Sequence, residues 1–333
     1  MGGNPSSSSE ATISTLMPLQ PIDLGSTLPY ARLAARTRSQ RLWCGQSLNI
    51  ETHQIFAALA ASGLGLQFGS SVTLTPLLHP AHAVVHARSV AALSGTTYIS
   101  GYGPGAKIFQ RVTRGAPYPS ALAAMEQYLT IMRALLTEEV LDITDGEWAC
   151  AGMELPPLDR PPVEIGLGVL RTGMAELAGR HADWAITWLT PATYIRDTLL
   201  PAMTAAADDA GRPVPRVAAV VHCALAAPGR DLAEMAFHSA GRHLSAPHYT
   251  DMLRQAGLDV HRSDPRAGAQ ALLDAGVFVT GSADDVAAEI HRYHQAGVTD
   301  VIVNVFGVQL THGTGAALAD LSAIMSAAEQ DKP

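Results

Sequence analysis

The sequence predicts a (β/α)8 TIM barrel, an α/β fold with insertions at the C-terminal rim of its strands. Eight short apolar segments alternate with helical patterns, and such alternation is typical of parallel sheets built from βα units. The chain has 333 residues, 47% of them hydrophobic, and one α/β barrel can reach this length. We therefore predict a single barrel domain over residues 21–333, preceded by a disordered, Ser-rich tail over residues 1–20.

The predicted strands are separated by stretches long enough to hold a helix. They cover residues 22–26, 41–46, 64–72, 96–101, 163–168, 184–189, 217–224 and 300–306. A ninth apolar segment, residues 277–280, is assigned as a short piece that leads into the last capped helix.

Capping signals place several helices. Residues 80–93 begin with proline, repeat apolar residues at helical spacing and are followed by Gly95, and residues 118–136 repeat the pattern. Ser282 and Asp285 form an S-x-x-D capping box, and Gly297 ends that helix. Residues 143–162 and 228–275 interrupt the alternation, so we predict that they form lids at the rim where barrel active sites lie.

Composition and charge exclude several classes of function. The formal net charge is −8 and no block of Lys or Arg is present, which argues against nucleic-acid binding. No apolar run reaches the roughly 18–20 residues that a membrane span requires, and no secretory signal is visible. Cys44, Cys150 and Cys223 are widely spaced, so we expect free thiols and a cytoplasmic protein.

Two segments resemble a known family. Residues 68–94, which begin FGSSVTLTP, are similar to the third strand, turn and following helix of luciferase-like flavin and deazaflavin oxidoreductases. Residues 163–191, which contain GLGVLRTG, are similar to that family's fifth strand and phosphate loop. The resemblance runs from about residue 22 to residue 308 and is closer to the coenzyme F420-dependent branch. It implies a cofactor ring at the barrel mouth and a homodimer.

The resemblance also implies where the cofactor lies. Many members have a non-proline cis peptide behind the central ring at the end of strand three, so we predict a cis bond between Ser71 and Val72. Residues 168–173 join a strand to a helix, where backbone N–H groups favour phosphate. A capped helix start with a solvated arginine is the alternative. The cofactor contacts predicted here are Ser71, Val72, Gly103, Pro104, Val169, Leu170, Arg171, Thr172 and Gly173.

Two further features concern the choice of cofactor. Gly103 and Pro104 belong to a G-x-G-x-G segment, where small residues allow close approach of the backbone, although a plain turn explains this segment equally well. Lys107, Arg111 and Arg114 follow, and a cationic rim would favour the acidic tail of F420 over FMN. A solvated helix face is the alternative.

The end of the second predicted strand differs from related sugar-phosphate dehydrogenases. Those enzymes carry an Asp-His pair where Gln46 and Ser47 stand, and an acid where Ala106 stands, for proton transfer in alcohol oxidation. We therefore predict hydride transfer from reduced F420 to a C=C or C=N bond of a specialised metabolite or modified peptide. No catalytic residue is assigned, and Gln46, Ser47 and Trp188 are predicted near the ring or substrate. The alternatives are an FMN-dependent luciferase-like monooxygenase and a non-catalytic luciferase-like subunit.

The histidines suggest a metal site only weakly. His82 and His86 share a helix face with His79 nearby, but no H-E-x-x-H frame and no third ligand follow, so no metal is predicted. His238, His243 and His248 lie in the long insertion, where they are expected to be solvated lid residues or to face substrate.

Overall fold

The computed structural model describes residues 11–330 and contains a closed parallel barrel. Eight strands pair around it, and the last of them pairs with the first. This confirms the predicted TIM barrel. In chain order the strands are β1 (Thr12–Leu16), β2 (Leu42–Cys44), β3 (Phe68–Ser70), β4 (Thr73–Leu74), β5 (Tyr98–Gly103), β6 (Leu141–Ile143), β7 (Cys150–Met153), β8 (Val163–Gly168), β9 (Trp184–Trp188), β10 (Arg216–Leu225), β11 (Phe278–Gly281) and β12 (Asp300–Asn304).

The barrel itself consists of β1, β2, β3, β5, β8, β9, β10 and β12. β4 pairs with β5, β11 pairs with β10, and β6 with β7 forms an antiparallel hairpin. The helices surround the barrel. They are α1 (Leu24–Arg36), α2 (Thr52–Ala60), α3 (Pro80–Ser94), α4 (Lys107–Arg114), α5 (Ala121–Leu136), α6 (Thr172–His181), α7 (Ala192–Tyr194), α8 (Leu200–Asp209), α9 (Leu232–Leu244), α10 (Pro247–Gln255), α11 (Pro265–Asp274), α12 (Ala283–Gln295) and α13 (Phe306–Gln330).

The prediction for the start of the chain was wrong. The first barrel strand is Thr12–Leu16, which lies inside the tail predicted to be disordered, and residues 22–26 belong to a helix start. Asp23 caps α1 by accepting a hydrogen bond from the Ser26 N–H at 2.6 Å. β1 is paired on both sides, with β12 and β2, and this pairing offsets the entropy cost of ordering it. Residues 1–10 of the predicted tail lie outside the described residues.

The capping predictions were confirmed. Gly95 ends α3 with a φ of 66°, and the Ser282–Asp285 capping box is formed at α12. Gly297 follows α12 with a φ of 90°. The long insertion forms the helices α9, α10 and α11, while the turn-rich stretch contains β7 and part of the hairpin. The long insertion is therefore helical, and the turn-rich stretch adds a small two-stranded sheet outside the barrel.

The amino-terminal end of the barrel is closed by a charged layer beneath an apolar one. Asp300 accepts hydrogen bonds from Ser14 Oγ at 2.8 Å and Trp43 Nε1 at 3.1 Å, and lies 3.7 Å from Arg41. An apolar cluster fills the interior above it. Its members are Leu16, Trp43, Ile99, Trp184, Ile186, Ala218, Val220 and Ile302. Among the described residues, these two layers fill the lower part of the barrel interior, so a molecule bound inside the barrel would lie at the carboxyl ends of the strands.

The cysteines and the helix lengths agree with the expectations from the sequence. All three cysteines are free and buried. None of the helices in the described part of the chain combines the length and the apolarity that crossing a bilayer requires.

Candidate functional site

The barrel mouth has two chemically different halves. Side chains along a barrel strand point alternately to the inside and the outside. Residues that lie an even number of positions after an interior cluster residue therefore also point inward, and those nearest the end of the strand lie at the mouth. On the side of β2, β5 and β8 these positions are glycines, whereas on the side of β9, β10 and β12 they carry large or polar side chains. The glycines are Gly45, Gly103 and Gly168, and the larger residues are Trp188, His222 and Asn304.

Two of the three glycines of the glycine-lined half leave room for a side chain that is not there. A β-carbon added at Gly45 would meet no atom closer than the Ser71 carbonyl oxygen at 3.5 Å, and one at Gly168 would meet none closer than 3.6 Å. These are ordinary van der Waals distances, so each position could accept a β-carbon that the glycine omits. A flat ring can approach the backbone there, because no side chain stands in the way.

Val72 forms the floor of this half. It packs against the interior apolar cluster but stays partly exposed, as does Trp188 across the mouth. The Ser71–Val72 peptide bond is cis, as predicted. A β-carbon at Gly101 would lie 2.2 Å from the Ser70 carbonyl oxygen, so this glycine gives room to the end of β3. The first glycine of the G-x-G-x-G segment therefore accommodates the backbone at the end of β3. It serves a ligand only indirectly, by allowing β3 to end at the mouth.

Three residues near the mouth carry polar atoms without a hydrogen-bond partner. The Oγ atom of Ser71, the Nε1 atom of Trp188 and the Nδ1 atom of His243 are buried and make no hydrogen bond. Leaving such a group unpaired costs about 1–3 kcal/mol. Ser70 differs, because its Oγ accepts a hydrogen bond from the Gly101 N–H at 2.8 Å. The residues at the mouth therefore fit a planar, mostly apolar group with polar edges, as a flavin or deazaflavin has.

The predicted phosphate loop lies at the start of α6, as expected. Arg171 is the N-cap residue, and its side chain makes no capping hydrogen bond. The guanidinium is 48% exposed and lies 3.9 Å from a carboxylate oxygen of Asp251 on α10. This pair is too exposed and too long to be strong. An incoming phosphate could displace Asp251 and also use the N–H groups of Thr172 and Gly173, which precede the first full helical turn.

Other predicted residues have mainly structural contacts. Val169 is fully buried in the hydrophobic core, and its N–H donates to the Ile186 carbonyl at 2.8 Å. Leu170 packs against the same core. The carbonyl of Pro104 accepts from Gln110 Nε2 at 2.9 Å. The Val169 N–H and the Pro104 carbonyl are thus occupied within the protein, and Pro104 remains at the rim.

Gln46 and Ser47 are engaged within their own loop. Gln46 accepts from the Leu74 N–H at 3.0 Å and donates to the Ser47 carbonyl at 2.8 Å. The Ser47 hydroxyl accepts from the Asn49 N–H at 3.2 Å. These bonds tie the end of β2 to β4, so both side chains hold the loop in place rather than reach into the mouth.

Sequence reasoning missed the polar wall of the mouth. His222 on β10 is fully buried, with Nδ1 2.5 Å from Ser239 Oγ and Nε2 3.2 Å from Asn304 Nδ2. Burial lowers the pKa of His222 to about 3, with a smaller contribution from the neighbouring His243. Trp188 stacks edge-on against His222 at 5.1 Å between ring centroids. The alternation of residues 217–224 could have revealed His222, because it shares an inward face with Ala218 and Val220.

The insertion helices α9 and α10 cover this wall. His243 packs on Trp188 with ring centroids 5.4 Å apart and on Tyr249 at 4.8 Å. Burial lowers the pKa of His243 to about 4, so its ring is neutral at pH 7. His248 lies beside Tyr249 and near Arg171, which helps to lower its pKa after the larger effect of burial. His238, by contrast, is an exposed surface residue 3.0 Å from Glu234.

The sequence profile of the family described as luciferase-like monooxygenase matches residues 5–300. The chain belongs to this family. No curated protein matches it in sequence. The family assignment therefore depends on the profile and agrees with the barrel and with the site at its mouth.

Solved structures with the same fold cover nearly the whole of this luciferase-like chain. An F420-dependent secondary alcohol dehydrogenase in complex with an F420–acetone adduct has a TM-score of 0.74 at 14% identity, covering 96% of this chain and 99% of that one. The coenzyme F420-dependent tetrahydromethanopterin reductase from Methanopyrus kandleri has a TM-score of 0.75 at 16% identity, with the same coverages.

A third structure of this fold contains FMN. It is the oxygenating constituent of 3,6-diketocamphane monooxygenase from Pseudomonas putida, with a TM-score of 0.70 at 14% identity and coverages of 97% and 99%. At these identities the likeness shows the fold alone. The choice between a flavin and a deazaflavin in this luciferase-like protein must come from its own residues.

Proposed function

We propose that this protein is an F420-dependent reductase that acts on a C=C or C=N bond of a specialised metabolite or modified peptide. One observation carries the proposal: the barrel mouth keeps a glycine-lined half, floored by Val72 and bordered by the Arg171 loop. Members of the family bind their cofactor ring at the barrel mouth, and the apolar cluster below the mouth leaves the ring no room deeper in the barrel.

The chain's own residues have distinct tasks in this proposal. Val72 and Trp188 present apolar surface to the ring, and the Ser71 hydroxyl is free to bond its polar edge. Arg171, with the N–H groups of Thr172 and Gly173, holds the phosphate. When bound, reduced F420 would supply a hydride.

Helix α4 favours F420 over FMN. Lys107 and Arg111 lie four residues apart on this rim helix and are both exposed. Arg114 is occupied, because it pairs with Glu147 and its guanidinium lies 3.9 Å from the centroid of the Tyr118 ring. Two exposed cations beside Pro104 suit an acidic polyglutamate tail, and FMN has no such tail.

The inward-facing layer of the mouth favours reduction over alcohol oxidation. The residues named above for this layer include no carboxylate, and His222 is neutral near pH 7 because burial lowers its pKa to about 3. Removing a proton from an alcohol requires a base of suitable pKa. The neutral ring of His222, with Ser239 and Asn304 as neighbours, is suited instead to orient a polar substrate group.

An anaerobic turnover assay tests the proposal. The purified protein is mixed with chemically reduced F420 and a panel of activated enones and cyclic imines, and F420 oxidation is followed by absorbance. We expect oxidation without oxygen that depends on both protein and acceptor. Substrate oxidation that requires reduced FMN and oxygen, and that F420 does not support, would show the FMN-dependent monooxygenase instead.

A further inference from the structure

A cluster of metal-ligating side chains lies outside the barrel, between α2 and α3. Glu51 caps α2, His53 lies in the first turn of α2, and His86 lies in the middle of α3. One ligand atom from each of the three residues lies within 4.8 Å of the others. Among residues 11–330 it is the one group of this kind that combines a carboxylate with two imidazoles.

The hydrogen bonds of Glu51 determine the tautomer of His53. One Glu51 oxygen lies 2.7 Å from His53 Nδ1, and the other accepts from the N–H groups of His53 and Gln54 at 2.8 and 3.1 Å. A carboxylate can only accept, so Nδ1 of His53 carries the proton. In the neutral ring, Nε2 then bears the lone pair. A carboxylate behind a histidine in this way is the usual outer partner of a metal-bound imidazole.

The remaining ring nitrogens have no partner. His53 Nε2 and His86 Nδ1 are both buried and make no hydrogen bond. His53 is only 5% exposed, so water has little access to its ring nitrogens. Their ring centroids are 5.0 Å apart and the ring planes are tilted by 50°. Two unpartnered nitrogens on neighbouring imidazole rings are explained if both bind the same ion.

A third imidazole completes the set. His82 precedes His86 by one helical turn, and their ring centroids are 4.4 Å apart. It is exposed and can rotate towards the cluster. Zn²⁺ prefers three or four nitrogen, sulfur or oxygen ligands at about 2.0–2.2 Å for nitrogen and oxygen. Binding would therefore require side-chain rotations that bring the three ring nitrogens closer together.

We propose that His53, His86 and His82 bind a divalent transition-metal ion of the Zn²⁺ class, with Glu51 orienting His53. The ion links the start of α2 to α3. The loop between Gly45 and Glu51 borders the mouth, and the Thr52 hydroxyl donates to the Gly45 carbonyl at 2.8 Å, so the ion also steadies one side of the mouth. Sequence reasoning predicted no metal because His53 and Glu51 lie about 30 residues before His82 and His86.

Metal binding by the purified protein tests this inference. Full-length protein without a histidine tag is treated with chelator, dialysed, and titrated with Zn²⁺ by calorimetry and with Co²⁺ by visible absorbance. We expect one ion per chain, a d–d absorption band typical of nitrogen-rich four-coordinate Co²⁺, and a melting temperature about 4 °C higher at a hundredfold excess of Zn²⁺ over its Kd.

Variants assign the ligands. His86→Ala should weaken Zn²⁺ binding about 100-fold or more, and Glu51→Gln should weaken it about 10-fold to 100-fold. His86→Gln serves if the alanine variant fails to fold. His238→Ala, at an exposed histidine on α9, is the matched control and should bind as the unmodified protein does. The proposal is overturned if the unmodified protein shows no saturable binding and no Co²⁺ band, or if His86→Ala and His86→Gln bind as tightly as the control.

Discussion

A β-carbon at Gly103 would lie 2.8 Å from Cγ2 of Val72, so β5 can pass the end of β3 only because residue 103 has no side chain. Val72 is thereby fixed as the floor of the glycine-lined half of the mouth. Gly103→Ala should push Val72 into the space proposed for the ring. We expect the free energy of unfolding to fall by about 1–3 kcal/mol, as in other overpacked cores, together with weaker cofactor binding.

Urea denaturation and a cofactor titration measure these two effects. Gly315→Ala is the control, because a β-carbon there meets no atom within 4 Å. It should leave the cofactor affinity unchanged and should not lower stability. Equal cofactor affinities for Gly103→Ala and the control would show that Val72 does not border the binding space.

The Arg171 loop gives a second prediction. Arg171→Ala should weaken F420 binding about 10-fold to 100-fold, since a hydrogen bond to a charged group contributes about 1.5–3 kcal/mol. Asp251→Asn should strengthen binding, because it removes the carboxylate 3.9 Å from the guanidinium. Arg196→Ala, at an exposed arginine paired with Asp197, is the control. If Arg171→Ala binds as the control does, the phosphate lies elsewhere.

Stability should depend on pH through the mouth histidines. The pKa of His222 is lowered to about 3 in the folded protein, against about 6.5 in an unfolded chain. The unfolded state therefore binds more protons between these values, and stability falls as the pH is lowered from about 6.5 towards 3. Each such histidine contributes a slope of about 1.4 kcal/mol per pH unit within this window.

Unfolding in urea at pH 7, 6 and 5 measures the slope. His222→Gln should reduce the pH slope of the unfolding free energy by about 1.4 kcal/mol per pH unit. His243→Gln should have the same effect, because burial also lowers the pKa of His243. His238→Gln, at an exposed position, should leave the slope unchanged. A slope unaffected by either buried-site variant would mean that these rings are not held neutral by the fold.

The charged layer at the closed end gives a fourth prediction. Asp300 is fully buried, and Asp300→Ala would leave Arg41 without its carboxylate and Trp43 Nε1 without an acceptor. Breaking a buried pair on one side destabilises by about 3–5 kcal/mol. Urea denaturation at pH 7 should show this loss, while Asp259→Ala, at a side chain that is 95% exposed, should change little. A loss below about 1 kcal/mol would contradict the role assigned to Asp300.

Seven of the eight barrel strands could be predicted from apolar runs, but the first could not. The inward side chain of Ser14 is polar, and its partner Asp300 lies 286 residues away, so no local pattern marks β1. The chosen segment began at Ile22, which is 68% exposed. Hydrophobic periodicity finds strands that face apolar layers, and it misses one whose inner face belongs to a charged layer.

The candidate site likewise contains residues that the sequence located and residues that it did not. The turn at Arg171 and the cis bond at Val72 lie within continuous motifs, so the resemblance located both. The wall formed by His222, Asn304 and the insertion helices joins distant parts of the chain, and its members are recognised only when the barrel closes. Gln46 and Ser47 were placed near the ring because of their position in the sequence, and only the coordinates reveal their loop hydrogen bonds.

Equilibrium binding of F420 and FMN to the purified protein shows whether the barrel mouth is a cofactor site and which cofactor it prefers. Each cofactor, in its oxidised form, is titrated against the unmodified protein and against Arg171→Ala, and the bound fraction is read from the absorbance change. We expect saturable binding of F420 at one molecule per chain, weaker binding of FMN, and a clear loss of F420 affinity in the variant. Absence of saturable binding for both cofactors would contradict this expectation and would indicate a luciferase-like subunit without a cofactor.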